Sequence, residues 1–302
     1  MTGANDPLHM TILVVFFNMR REAKRTLHTL TTAYQRECDP EQYDVVAIDH
    51  GSRERLDGRE VEQLQSNFRY AYLDTDDVSP VMALNRFAAS ARGDVVVCLI
   101  DGARMLSPGM LSTMHRAFND FEDPFVYTIG MHLGPEVQNR SVLKGYDQIK
   151  EDVLLEGIDW SADGYRLFEI SSLALSSSRG LLGTPDESNC FALRKDTFLR
   201  CGGFDERFRS PGGGLASLEL FVRLTGNPAL TPVQLLGEAT FHQFHGGVAS
   251  NATPRKHPWR RFTREYRRIL GRKWVRPEFH PIHFGQVPPE AEKWLLRDPA
   301  GS

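Results

Sequence analysis

The chain is poor in the features that mark several common protein classes. It has four cysteines in 302 residues, Cys38, Cys98, Cys190 and Cys201, and no two form a CxxC pair. That excludes a disulfide scaffold or zinc ribbon, and Cys98, inside an apolar run, reads as a buried thiol kept reduced. No apolar run approaches the roughly 18 residues of a membrane-spanning helix. The opening MTGANDPLH lacks a basic segment followed by an apolar one, so the sequence predicts no secretory leader and a cytoplasmic location. Charge of one sign is missing too. With 36 Lys and Arg against 39 Asp and Glu, the net charge of −3 gives no overall pull toward nucleic acid. Motifs are absent as well. No GxGxxG follows the first apolar run, and neither GxxxxGKS nor GxxxxGKT occurs, which argues against a dinucleotide-binding enzyme or a P-loop NTPase.

What is present is an alternation of strand and helix patterns. The runs at 11–17 (TILVVFF), 44–49, 68–74, 94–101 and 125–133 are apolar and β-branched, and helical patterns separate them. Asn18, Ser79 and Ser107 read as helix caps, the two serines each followed by proline. This spacing predicts an α/β fold, a Rossmann-like and mostly parallel sheet with helices on both faces. Residues 136–186 break the rhythm with short helical stretches and an aromatic cluster, Trp160, Tyr165 and Phe168, and predict an ordered, substrate-facing insertion. A strand pattern returns at 189–194. Asp196 reads as the cap of a short helix, 215–224 as a helix and 233–242 as a strand ending in histidine.

In open parallel sheets, ligands sit beyond the carboxyl ends of the strands. Asn18, Asp49 and Asp101 fall at three such ends. A lone carboxylate in CLIDGARMLSP, residues 98–108, is a candidate metal or phosphate holder, and the HxxH of GEATFHQFHGG, residues 237–247, puts His242 and His245 at another strand exit. No HExxH helix accompanies them, so a zinc protease is not indicated.

Several stretches carry a family resemblance: FFN at 16–18, AIDHGSRE at 47–54, ALNRFAASARGDVVVCLID at 83–101 and ALRKDTFLRCGGFDERF at 192–208. With the late histidine strand, these resemble family 2 glycosyltransferases of GT-A fold over about residues 10–250. The resemblance implies a nucleotide-diphospho-sugar donor, a bound Mn²⁺ or Mg²⁺, and transfer of the sugar to an acceptor hydroxyl. It implies a nucleotide-binding half at 10–135 and a sugar- and acceptor-binding half at 136–250, followed by a basic helical extension at 251–302. It assigns Asp101 with His242 or His245 to the metal, Phe17, Asp49, His50 and Asn85 to the nucleotide, and Glu187, Asp205 or Glu219 to catalysis or sugar contact.

The departures from the family pattern matter as much. Its Asp-x-Asp motif has Ala103 in place of the second acid, flanked by Arg104. Its acidic pair before the late helix is replaced in GGGLASLELFVR by Ala216 and Ser217. A serine cannot accept a proton unaided, so either another carboxylate serves, or the reaction proceeds with retention and needs no such base, or activity is lost. Asp186 and Glu187 are the nearest alternatives, with Glu187 the first candidate for general base. Plainer readings stand beside these. Asp49 is also suited to organising a turn with Ser52, and Glu219 to an i,i+4 ion pair with Arg223. Residues 255–276 hold ten Lys or Arg and one Glu, with Trp259, Phe262, Tyr266, Ile269 and Leu270 on one helical face. That pattern suits a helix docked on the domain, or contact with an anionic acceptor or a peripheral contact with a membrane surface. A nucleotidyltransferase and a non-catalytic GT-A-like scaffold are the rival functions.

Overall fold

The computed structural model describes residues 8–253 and 255–296. Most of the MTGANDPLH segment and the end of the basic extension lie outside them. The first strands are β1 (Met10–Phe16), β2 (Tyr43–His50), β3 (Phe68–Leu73), β4 (Val95–Leu99) and β5 (Arg104–Leu106). Then come β6 (Pro124–Leu133), β7 (Ser171–Leu173), β8 (Cys190–Arg194), β9 (Thr231–His242) and β10 (Ile282–Gly285). The helices are α1 (Arg20–His28), α2 (Gly58–Leu64), α3 (Val81–Ala89), α4 (Met110–Asp120), α5 (Gln138–Ser141), α6 (Gln148–Glu156), α7 (Lys195–Arg200), α8 (Ala216–Thr225) and α9 (Trp259–Leu270).

One 10-stranded sheet runs in the order β10-β9-β6-β8-β4-β1-β2-β3, with β5 on β9 and β7 on β6 off this path. The pairs among β3, β2, β1 and β4 are parallel, as are β6 with β9 and β9 with β10, and β8 runs against both its neighbours. Every residue of β1, β2 and β4 is buried, the sign of strands covered on both faces. Alternation sorts their side chains. Ile12, Val14, Phe16, Val95 and Val97 pack with Ala23 and Leu27 of α1 and Met110 and Met114 of α4. Leu13, Val15, Val96 and Cys98 point the other way, against Val81 and Leu84 of α3, Phe221 of α8 and Phe262 and Tyr266 of α9. Each such side chain, fully buried, contributes roughly 1.5–3 kcal/mol. A third cluster, with Leu167, Phe168 and Leu181, gathers the insertion against β6 and β9. No helix among the described residues is long and apolar enough to cross a membrane.

Several expected caps have other work. Asn18 takes a left-handed φ of 52°, and its Oδ1 accepts from the backbone N–H of Arg53 at 2.9 Å, so it ties the loop after β1 to the loop after β2. The Ser79 hydroxyl donates to the Phe208 carbonyl, and the Ser107 hydroxyl to Glu238. Met19, Pro80 and Gly109 stand at the helix starts without a side-chain cap. Asp196 lies inside the first turn of α7 rather than before it. The sequence reading did not foresee β5, β7 and β10, each of only three or four residues and so too short to show a period.

Candidate active site

Asp101 and the two histidines meet because of a short pairing. After β4 the chain turns at Gly102, where an added Cβ would lie 2.3 Å from the Phe16 ring, so only glycine passes this close to β1. The next residues form β5, antiparallel to β9, which sets Arg104 opposite His242. On the other side of β9, His132 of β6 is also opposite His242. Three adjacent strands thus carry Arg104, His242 and His132 side by side at one edge of the sheet.

The loop after β9 is held from several directions. The Gln243 side-chain amide donates to the Glu22 carbonyl and to Thr26 Oγ1, both at 3.1 Å. The Phe244 N–H donates to Glu151 Oε2 at 2.7 Å. Asn251 Oδ1 accepts from the N–H of His245 at 3.3 Å and of Gly247 at 2.7 Å. Side chains fixed in this way present ligands without a large ordering cost.

Gln138 decides the proton on His242. Its Nε2 donates to the His242 carbonyl at 2.8 Å, and a carbonyl only accepts, so the amide orientation is set. Its Oε1 then faces His242 Nδ1 at 2.7 Å and also accepts from Asn251 Nδ2 at 2.8 Å. His242 Nδ1 therefore carries the hydrogen and Nε2 the lone pair. That lone pair looks at Asp101 Oδ2, 3.0 Å away, with the Ser250 hydroxyl at 3.2 Å. Burial pushes the His242 ring down to about 4, so near neutrality it is uncharged. Burial opposes the charge on Asp101, but its cationic surroundings, Arg104 among them, hold the carboxyl well below its ordinary range.

The donor set fits a divalent cation. One ligand atom from each of Asp101, His242 and His245 lies within 4.8 Å of the others. His245 Nε2 is buried without a hydrogen-bond partner among the described residues, 3.8 Å from Asp101 Oδ2. A neutral imidazole and a carboxylate facing each other at 3.0 Å are two electron-rich atoms that a shared cation reconciles. A carboxylate with two imidazoles suits manganese better than magnesium, which prefers oxygen alone. Ala103 cannot contribute. Its backbone N–H donates to Asp101 Oδ1 at 3.0 Å while its methyl is fully buried in the core. In place of a second acid the site has Arg104, buried, with Nε 3.7 Å from Asp101 Oδ2.

These groups open on a cleft of about 1870 Å³. Phe17, His50, Asp101, Arg104, Glu187 and His245 line it, so the structure brings together most of the residues singled out from the sequence. Phe17 is 51% exposed, an aromatic face offered to the cleft rather than to the core. Burial raises the Glu187 carboxyl to about 7, against the opposing charge of Arg104. Ser217, where the family pattern has an acid, also lines the cleft.

Four candidates lie elsewhere. Asp49 is buried behind the wall, where Oδ1 accepts from the Ser52 N–H at 3.2 Å and Oδ2 from the Leu56 N–H at 2.9 Å and the Tyr70 hydroxyl at 3.1 Å. Asn85 ties α3 to the GGFDERF turn through the Phe204 backbone. Asp205 is held by Arg207, and Glu219 is clasped by Arg223 at 2.9 and 3.0 Å. His132, Gln138 and Asn251 were not foreseen. A single glutamine or asparagine in an irregular segment has no periodicity to mark it.

A mostly parallel sheet covered on both faces thus carries, at one edge, an Asp/His cluster that could hold a cation. The sequence profile of the glycosyltransferase-like family 2 matches residues 12–272. The chain belongs to that family. No curated protein matches it in sequence. Among solved structures, S. aureus TarS aligns with a TM-score of 0.53 and 12% identity over 89% of this chain and 40% of TarS. A 1–349 fragment of TarS in complex with UDP gives 0.52 and 12% over 89% of this chain and 67% of the fragment. The same fragment in complex with UDP-GlcNAc gives 0.51 and 11% over 80% and 60%. At such identity the likeness is one of fold, and this chain spans only 40% of the length of TarS.

Proposed function

We propose that the cleft binds a nucleoside-diphosphate sugar together with Mn²⁺, or less favourably Mg²⁺, and transfers the sugar to an acceptor hydroxyl. Asp101, His242 and His245 hold the cation, and the observation that carries this assignment is that His242 Nε2 stands 3.0 Å from Asp101 Oδ2 while Gln138 Oε1 occupies Nδ1. When bound, the cation supplies Lewis-acid stabilisation for the charge that grows on the departing diphosphate. The nucleoside lies toward Phe17 and His50, which line the cleft near the ends of β1 and β2. Arg104 supplies a fixed positive charge beside the diphosphate.

Glu187 takes the acceptor proton. The acceptor oxygen forms a bond to the anomeric carbon of the donor, the bond from that carbon to the diphosphate oxygen breaks, and the nucleoside diphosphate leaves with the electron pair. Glu187 suits this role because it faces the cleft and ionises at about 7, close to working pH. Asp205, Glu219, Asp49 and Asn85 are then supports rather than participants, since their polar atoms are already engaged.

The test is a thermal-shift screen of nucleoside diphosphates and their sugars, with and without Mn²⁺, followed by measurement of nucleoside-diphosphate release. The expected result is stabilisation that needs nucleotide and metal together. Absence of stabilisation by any nucleoside diphosphate, with or without metal, would overturn this reading.

A further inference from the structure

The inner end of the cleft, as proposed above, accounts for its own charge. The donor diphosphate brings two negative charges, a divalent cation balances them, and Arg104 is matched by Asp101 and Glu187, so no cation is left over there. The outer end does not balance. There, Asp77 is paired with Arg209 at 2.8 Å and Asp186 with Arg276 at 2.5 Å. Arg255, Arg260 and Arg261 also line the cleft, and none has a carboxylate within ion-pair distance among the described residues. All three come from the basic extension, and α9 carries two of them.

Two tryptophans of the same extension stand beside these guanidiniums. Trp259 and Trp274 line the cleft with ring centroids 6.3 Å apart and planes at 85°. Trp259 is 44% exposed, and Trp274 Nε1 is buried without a hydrogen-bond partner among the described residues. A buried polar group without a partner is uncommon in folded proteins, and here it belongs to a residue of the cleft wall. The docked face of α9 is accounted for separately. Phe262 and Tyr266 are buried in the core, while Arg267 and Arg268 are exposed and away from the cleft.

Resting on the donor assignment above, we infer that the acceptor is an anionic saccharide, one carrying carboxylate or phosphate groups, bound at Arg255, Arg260, Arg261, Trp259 and Trp274. Guanidinium groups match the planar oxygens of carboxylates and phosphates, and a cleft wall concentrates their field. Tryptophan supplies a broad apolar face for a sugar ring and one donor for a hydroxyl. A membrane surface is the less favoured occupant, because Arg255, Arg260 and Arg261 line a concave cleft beside two tryptophans rather than a flat outer face.

The test is a tryptophan-fluorescence titration with three oligosaccharides of equal length. One is neutral, one carries uronic-acid carboxylates and one carries phosphate esters. At least one charged form should bind about tenfold or more tightly than the neutral one, and the difference should shrink as salt is raised. Arg260→Ala/Arg261→Ala should lose about tenfold in that affinity, whereas Arg267→Ala/Arg268→Ala should stay within about twofold. The thermal shift with UDP or GDP and Mn²⁺ should be unchanged in both variants, which also shows that both fold. Four results would overturn the inference: equal binding of neutral and charged forms, binding of neither charged form, binding only to phosphatidylserine vesicles, or loss of the nucleotide shift in Arg260→Ala/Arg261→Ala. The last would assign those arginines to the donor. If even the unaltered protein shows no nucleotide shift, the donor assignment fails independently of the acceptor titration.

Discussion

Position 103 looks in sequence like a damaged motif, but the neighbouring residues have reorganised around it. Ala103 packs in the core, so Ala103→Asp would bury an unpaired carboxylate rather than restore a ligand. We expect a loss of roughly 4 kcal/mol or more in denaturant unfolding and no gain in Mn²⁺ affinity. His242 and Gln138 carry the opposite expectation. His242→Ala should abolish detectable Mn²⁺ binding in the presence of UDP or GDP. Gln138→Met should weaken it by about 10- to 100-fold, because the amide that fixes the ring proton is gone. Nitrogen-15 shifts of His242 in the metal-free protein check the cause: wild type should show the hydrogen on Nδ1, and Gln138→Met a mixture. Glu187 makes a kinetic prediction. As a base that ionises at about 7, it should give kcat rising with pH through that value and levelling above it. Glu187→Gln should lower kcat by about 10²–10⁴-fold and remove that limb. Asp101, His242 and His245 could be singled out in the sequence because each follows a strand pattern, and Glu187 only by its family position. Asp49 and Glu219 sit in equally recognisable places, yet hydrogen bonds to Leu56 and Tyr70 and an ion pair with Arg223 occupy them. Which lone pairs a fold consumes depends on contacts across the chain, and these leave no local trace.

At the scale of elements, the long strands were readable and the short ones were not. Strands β1, β2 and β4 announce themselves as apolar runs because both faces are buried. Strand β5 has three residues, yet its pairing with β9 joins the Asp101 turn to the histidine loop. Glu238 on β9 strengthens the same joint. The Ser107 and Tyr165 hydroxyls both donate to it, linking the start of α4 and the insertion to β9. Burial raises its carboxyl from 4.5 to about 7. A folded-state value above the unfolded one means that its protonated form stabilises the protein at pH below about 4.5. That contribution is lost as pH rises to about 7. The difference in melting temperature between Glu238→Gln and wild type should therefore move in favour of the variant between pH 5 and pH 8. The ceiling of this effect is about 3 kcal/mol. A difference that stays flat across that range would show that Glu238 is ionised in the folded protein throughout.

Across the whole molecule, a net charge of −3 conceals a strong local separation. The basic extension docks through Phe262 and Tyr266, and part of its charge turns toward the cleft whose inner end holds Asp101, His242 and His245. Composition could not reveal this division, which depends on how α9 is rotated against α8 and the sheet. The central claim is that these three residues hold a metal only as part of a complex with nucleotide, since one carboxylate and two imidazoles leave the rest of the shell to diphosphate oxygens and water. Titrating Mn²⁺ into the protein while following the electron-paramagnetic-resonance signal of the free ion tests it most directly. Without nucleotide the signal should rise as it does in buffer, and with saturating UDP or GDP it should be suppressed beyond what the nucleotide alone accounts for. Tight Mn²⁺ binding to the nucleotide-free protein, or no added binding with any nucleoside diphosphate, would contradict the account.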